Sequence, residues 1–286
     1  MMWKMSKGVT KMECCDLGTF LDALVCGTDL HISVVFTGKP GSEIMQRPYH
    51  HVVHKKPVCA AMRKLPDGYS SCVRCRMAAQ KYVSRHGRPL AGYCQKGVYE
   101  YCAPVIWRGE TVAVTFIGNI YTGEAEQLKR FGSRLTPELL ETMERKYTRE
   151  DCVRTARVVS DFICLLADRF GMGEVDHDKL TDSVKSYIRE NFSYNFSLTD
   201  LAELFGYNAK YLGRVFKSRT GTTINAYCNA LRIGEAKRLL KETEMRITEI
   251  ALETGFNNIS YFNYVFVRQT GVSPSVYRSA QGENPL

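Results

Sequence analysis

The residues of this sequence best suited to chemistry are four cysteines within its first hundred positions. Cys72 and Cys75 form a Cys-x-x-Cys pair, separated by 12 residues from Cys59 and by 18 from Cys94. Four thiolates can complete a tetrahedral metal site, and a Cys-x-x-Cys pair can also act as a redox couple. Cysteine also packs as a small apolar side chain, so buried or pocket-lining thiols are a third interpretation. These gaps permit metal binding without being diagnostic of it, and the three alternatives stay open.

Other reactive residues are less organised. His50, His51 and His54 are alternative metal ligands, although a solvated loop is the better interpretation of that stretch. Seven further cysteines are interpreted as core or surface residues: Cys14, Cys15, Cys26, Cys102, Cys152, Cys164 and Cys228. No Ser/His/Asp set, phosphate-binding loop or paired-carboxylate motif is recognisable, which argues against the common enzyme classes.

A second set of candidate residues lies on an internal repeat. Residues 198–208 match 247–257 at an offset of 49, and one extra residue in the second copy then shifts the offset to 50. Each copy predicts a short helix, a glycine turn at Gly206 or Gly255, and a second amphipathic helix. This is the helix-turn-helix plan, in which the second helix enters the DNA major groove. A long helix over 225–241 is predicted to join the copies.

The polar faces of the two second helices differ in charge. The first carries Lys210, Arg214 and Lys217, with no acid between Asn208 and Arg219. The second carries mainly uncharged polar side chains, which can hydrogen-bond to bases or phosphates. Without these faces, a helical bundle with a duplicated hairpin and no DNA role would explain the periodicity equally well.

Residues 179–278 resemble the DNA-binding domain of the AraC family of transcription regulators. The matching strings are Ala202-Glu203-Leu204-Phe205-Gly206-Tyr207, Tyr211-Leu212-Gly213-Arg214-Val215-Phe216-Lys217, Leu231-Arg232-Ile233-Gly234-Glu235-Ala236 and Gly271-Val272-Ser273-Pro274. The resemblance implies two recognition helices in successive major-groove segments. The DNA-facing positions that it implies are Asn208, Lys210, Tyr211, Gly213, Arg214, Lys217, Ile259, Ser260, Asn263 and Tyr264. Tyr264 and Val267 stand where the family often has Arg and Lys, so the second unit should depend less on charge.

The N-terminal half predicts a different architecture. Strands are expected over 30–36, 89–94, 98–107 and 111–121, and helices over 15–26, 58–64, 72–85 and 135–145. An antiparallel sheet flanked by helices is an α+β plan. The segments His54-Lys55-Lys56-Pro57-Val58-Cys59, Cys72-Val73-Arg74-Cys75 and Gly92-Tyr93-Cys94-Gln95-Lys96-Gly97 resemble the PocR-type sensory domain, a PAS-like module. That resemblance implies a small organic effector.

Between the two halves, residues 151–170 predict an amphipathic helix whose stripe is either a homodimer seam or a face that packs on the sensor sheet. The expected organisation is a sensor over 1–170, a linker over 171–178 and a DNA-binding domain over 179–286. The fold class is α+β: a PAS-like antiparallel sheet with flanking helices, followed by an all-α domain with two helix-turn-helix units.

Composition limits the location and the partners. The net charge is +9, but residues 175–286 hold 14 Lys+Arg against 12 Asp+Glu, and the remainder holds 25 against 18. DNA binding must therefore rest on local placement of charge rather than on the overall balance. No run approaches 18 apolar residues and the N-terminus does not read as a signal peptide, so we expect a cytoplasmic protein without a membrane partner.

These observations predict a sequence-specific transcription regulator, an activator rather than an enzyme. Its expected partners are double-stranded promoter DNA, RNA polymerase and a small organic effector. One alternative is a cysteine- or metal-dependent redox sensor. Another is a DNA-repair methyl acceptor, because one such group joins a four-cysteine zinc site to this DNA-binding domain. In that group the other two cysteines form a closer upstream pair, and the DNA-binding domain follows sooner.

Overall fold

The computed structural model describes residues 15–37, 51, 56–64, 68–172 and 177–282. They form an N-terminal α+β part and a C-terminal helical part with two helix-turn-helix units, which confirms the predicted fold class. Within the described residues, no helix combines the length and the apolar character needed to cross a membrane.

The N-terminal part contains four strands and six helices among the described residues. They are α1 (Leu17–Val25), β1 (His31–Phe36), α2 (Pro57–Arg63), α3 (Gly68–His86), β2 (Leu90–Tyr93), β3 (Tyr99–Trp107), β4 (Glu110–Ile120), α4 (Ala125–Phe131), α5 (Pro137–Glu141) and α6 (Arg149–Phe170). The strands lie where they were predicted. Helix α4 was not predicted, and α5 is shorter than the helix expected over 135–145.

The sheet is antiparallel throughout, with strand order β1-β4-β3-β2. The β3–β4 hairpin turns at Arg108 and Gly109, both with positive φ (51° and 83°). Two left-handed residues give a turn whose twist matches that of the paired strands. All six residues of β1 are buried, as expected for a strand covered on both faces of its sheet.

Helix α6 settles part of the question about the amphipathic stripe. Ala156, Val159 and Ile163 are buried in a core shared with α1 and the sheet. Val153 and Phe170, at the ends of the stripe, remain 38% and 40% exposed. The centre of the stripe therefore packs on the sensor sheet, while α3 covers the opposite face through contacts such as that of Val83 with Phe116 and Cys102.

The C-terminal part repeats the same unit around a long helix. Its elements are α7 (His177–Asn191), α8 (Leu198–Phe205), α9 (Ala209–Thr220), α10 (Ile224–Glu242), α11 (Ile247–Glu253), α12 (Ile259–Thr270) and α13 (Pro274–Gly282). Ser197 and Asp200 form a reciprocal capping box that starts α8. Helix α10, predicted over 225–241, contacts both helix pairs and holds them in one body.

The two parts pack directly against each other. Tyr69 and Val73 of α3 lie in the same apolar cluster as Tyr187 of α7 and Leu204 of α8. The Tyr69 hydroxyl is hydrogen-bonded to the Tyr187 hydroxyl. A Cβ added to Gly206, at the end of α8, would stand 2.4 Å from the carbonyl oxygen of Phe36. The first helix-turn-helix unit is thus docked on the sensor.

Candidate functional site

The first helix-turn-helix unit presents a basic recognition helix, α9. Gly206 ends α8 in the left-handed conformation (φ 80°), which lets the chain reverse into α9. Asn208, an expected DNA-facing residue, is the N-cap of α9 and accepts hydrogen bonds from the backbone N–H groups of Lys210 and Tyr211. Its side-chain oxygen is therefore engaged in starting the helix.

The side chain of Tyr211 is fixed by contacts with α7 and with a residue that precedes α9. Its hydroxyl lies 2.9 Å from Nε2 of His177 at the start of α7, and its ring stacks on that of Tyr207 at 5.5 Å. The guanidinium of Arg214 lies 5.8 Å from the centre of the Tyr211 ring. Tyr211 thus forms a base that supports Arg214.

The cations of α9 differ in how they are neutralised. Lys210, Arg214 and Lys217 are exposed, and none is ion-paired to an acid among the described residues. Arg219 instead lies 3.5 Å from Asp178. Three exposed cations on one helix face, with no acid paired to them among the described residues, are suited to phosphate or base contacts. Gly213 is half-buried on the same helix.

The second unit presents an exposed face with little charge. Ile259, Ser260, Asn263 and Tyr264 of α12 are all exposed, with Tyr264 at 58%. Asn258 caps the helix by accepting from the backbone N–H of Tyr261. The face can offer hydrogen bonds and apolar contacts to bases but, in its described residues, only the charge of Arg268.

The turn of this second unit is fixed by its neighbour. Gly255 has φ 91°, and a Cβ there would lie 2.7 Å from the carbonyl oxygen of Ser193. Arg232 of α10 donates hydrogen bonds to the carbonyl oxygens of Phe192 and Tyr194, at 2.7 and 3.0 Å. These contacts join the two units through the loop that precedes α8, and they give Arg232 a structural role.

A pocket in the sensor brings together the four cysteines singled out in the sequence. Cys59 of α2, Cys72 and Cys75 of α3, and Cys94 after β2 all line it. Its space, counted with the part open to solvent, is about 660 Å³. Of the three histidines, only His51 lies in the described residues. It is hydrogen-bonded to Ile32 O and Asp22 Oδ1.

The electrostatics of the pocket keep the thiols of Cys59, Cys72 and Cys94 neutral. Burial, followed by the nearby charge of Glu100, raises the pKa of Cys59 to about 12. Burial also raises the pKa of Cys72 and lifts that of Cys94 well above its usual range. Protonated thiols are poor metal ligands and poor nucleophiles. Among the described residues, no three His, Cys, Asp or Glu side chains are placed to hold a metal ion, so the geometry favours pocket-lining thiols.

Two features of the pocket were not anticipated from the sequence. It contains charged side chains, namely Arg63, Lys96, Arg76 and Glu100, beside the thiols. Tyr69, Cys72 and Arg76 recur at helical spacing on α3, a signal that could have placed Arg76 there. The pocket is also closed by residues of the C-terminal part, Tyr187 and Leu204. No sequence pattern indicated that contact.

Comparison with known families decides the assignment. A family model described as the sensory domain found in PocR matches residues 18–160, half of the chain. The chain belongs to the PocR sensory-domain family. A second model, described as a helix-turn-helix domain, matches residues 201–280, so this member of the family carries an AraC-type DNA-binding domain after its sensor. Both predicted resemblances are confirmed.

Individual relatives and solved structures are similar to most of the chain or to about a third of it. "Regulatory protein PocR" of Salmonella typhimurium is 24% identical over 281 residues, which are 88% of this chain and 90% of the relative. "HTH-type transcriptional activator RhaR" of Klebsiella pneumoniae is 37% identical over 101 residues, 35% of this chain and 36% of the activator. The C-terminal domain of the response regulator yesN from Fusobacterium nucleatum is 30% identical, with a TM-score of 0.34, over 35% of this chain and 97% of that one. The chain is a DNA-binding transcription regulator of AraC type with a sensory domain.

Proposed function

We propose that this regulator is controlled by a small organic effector bound in the thiol-lined pocket, and that it activates transcription by contacting RNA polymerase at a promoter. The observation that carries the proposal is the composition of the pocket wall. Residues of the sensor line most of it, and Tyr187 and Leu204 of the DNA-binding part complete it. A molecule bound there touches both parts at once, so its binding energy depends on how they are docked.

The other parts of the proposal have separate support. The domain division is a sensor over 1–170, a linker over 171–178 and a DNA-binding domain over 179–286. Activation is supported by relatives whose names describe activators. A role in regulation rather than catalysis is supported by the regulators among those relatives. A promoter target supports a cytoplasmic location. A homodimer is supported only by the outer face of α6, where Val158 and Leu165 are 47% and 66% exposed.

The DNA-facing residues remain those proposed for the two recognition helices. In the first helix they are Asn208, Lys210, Tyr211, Gly213, Arg214 and Lys217; in the second they are Ile259, Ser260, Asn263 and Tyr264. The exposure of Lys210, Arg214 and Lys217, and of all four positions on the second helix, supports this assignment.

The test begins with selection of a binding site from random DNA by the purified protein. Dissociation constants for that site are then measured with and without candidate effectors. Allosteric effectors typically change such affinities about 5- to 150-fold. Cys72→Phe, which fills the pocket, should abolish the change, whereas Cys26→Phe, at an exposed cysteine outside it, should preserve it. Failure to enrich any site, or an unchanged response in Cys72→Phe, would contradict the proposal.

A further inference from the structure

Arg76 is the least solvated charge in the proposed effector pocket. It is 7% exposed and lines the pocket from α3. Its Nη2 donates to the hydroxyl of Ser33 at 2.7 Å, and its guanidinium lies 4.4 Å from the centre of the Phe116 ring. Burial lowers the pKa of this guanidinium from its ordinary value, which records the cost of holding a cation there.

Among the described residues, the hydrogen-bonding capacity of Arg76 is only partly used. Nε and Nη1 are both inaccessible to solvent and have no acceptor among the described residues. Arg63, on the same pocket wall, likewise has a buried Nε without an acceptor among those residues, although its Nη1 donates to Asn191 at 3.4 Å. Buried donors are almost always satisfied in folded proteins. Two guanidinium groups on one pocket wall, each with a buried donor that no described residue accepts, are suited to an acceptor carried by the ligand.

The charge around the pocket sets the sign of that ligand. Arg63, Arg76 and Lys96 contribute three cations, and Glu100 contributes one anion. The charge of Glu100 raises the pKa of Arg76 and so opposes the lowering caused by burial. One further negative charge on the ligand would reduce the remaining imbalance. A planar carboxylate also matches the fork of a guanidinium, which binds it through parallel hydrogen bonds.

The rest of the wall sets the character of the ligand's body. Met62, Val73, Val98 and Leu204 are buried and apolar. The neutral thiols of Cys59, Cys72 and Cys94 lie beside them. About 60 Å³ of this space can be occupied by water-sized groups, which suits a small molecule rather than a chain or a polymer. An apolar body of a few carbon atoms would contact these side chains while its polar end reaches the guanidinium groups.

We propose that the effector is a small organic carboxylate, whose carboxylate group binds Arg76 and Arg63 and whose apolar body reaches Leu204 of the DNA-binding part. The inference rests on the proposed function, because it takes this pocket to be the effector site. It adds the chemical class of the ligand and the two residues that select it.

The experiment compares matched ligands that differ only in charge. Calorimetry on the full chain measures binding of butyrate, hexanoate and benzoate against butanamide, hexanamide and benzamide. At least one carboxylate should bind tenfold or more tightly than its amide. Arg76→Met and Arg63→Met should each remove most of that preference, while Arg74→Met, at an exposed position of α3, should retain it. The half-buried Arg63 supplies a variant that keeps the test decisive if Arg76→Met does not fold.

Two results overturn the ligand class. One is equal or absent binding of all three acids and their amides; the other is a preference that survives in both arginine variants. Binding of the selected DNA site is measured on the same samples. If DNA is bound but carboxylates are not preferred, the ligand class is wrong and DNA binding stands. If no DNA site is bound, the proposed function itself fails.

Discussion

Replacing the three exposed cations Lys210, Arg214 and Lys217 of α9 should reduce the salt dependence of DNA binding. The change is Lys210→Ala, Arg214→Ala and Lys217→Ala in one protein. Each phosphate contact contributes about 0.9 to the slope of log affinity against log salt, so three contacts contribute about 2.7. When the salt concentration rises from about 50 to 200 mM, the factor by which DNA affinity falls should therefore be about 40 times smaller in the variant than in the wild type. Arg219 is left in place because Asp178 already pairs with it.

The assay is fluorescence anisotropy on a labelled binding site over a series of salt concentrations. A matched control removes three exposed sensor cations, Arg88, Lys129 and Arg134. The control should leave the slope unchanged although it alters the net charge equally. Equal reduction in both proteins would show that the total charge, rather than α9, sets the slope. Circular dichroism confirms that both variants keep their helices.

Three further predictions concern docking and the thiols. Gly206→Ala should lower the free energy of unfolding in urea more than Gly221→Ala does. Both glycines are left-handed, but of the two only Gly206 faces a backbone atom, the carbonyl oxygen of Phe36. Equal losses would mean that the docked contact does not form. The left-handed conformation alone costs about 1–2 kcal/mol in each variant. Iodoacetamide at pH 8 should label exposed Cys26 at least about 100-fold faster than buried Cys59, and equal rates would show that the pocket thiol is ionised. Since the pKa of Cys59 rises from 9.0 to about 12 on folding, its contribution to stability should be present below pH 9 and lost from there towards pH 12 in alkaline unfolding.

The sequence predicted the strands of the sensor better than its short helices and better than the packing partners of each element. Strands β1, β3 and β4 are rich in β-branched and aromatic residues and end at clear turns, so their patterns were readable. Helix α4 (Ala125–Phe131) is seven residues long and largely polar, which gives periodicity little to detect. The stripe of α6 was readable as a face, but periodicity does not say what a face packs against.

In the candidate sites, too, local features were predicted from the sequence and contacts between distant segments were not. Helical spacing and motif placed Lys210 and Arg214 on an exposed helix, because both properties are local. The cysteines were noticed by type, whereas their surroundings depend on how distant segments meet. Leu204 closes the pocket because the DNA-binding part docks on the sensor. The sequence pattern of each part predicts its own helices and strands, but no local signal predicts how the two parts dock.

The most direct test of the account measures carboxylate affinity with and without saturating DNA. Linkage requires the DNA to change ligand affinity by the same factor by which the ligand changes DNA affinity. We predict a common factor of at least about 5 in the wild type. Tyr69→Phe, which removes the hydrogen bond to Tyr187 across the docked surface, should bring the factor closer to one, whereas Tyr82→Phe on the exposed side of α3 should not. A factor of one in the wild type, with both ligands bound, would contradict the claim that the shared pocket couples sensor to DNA.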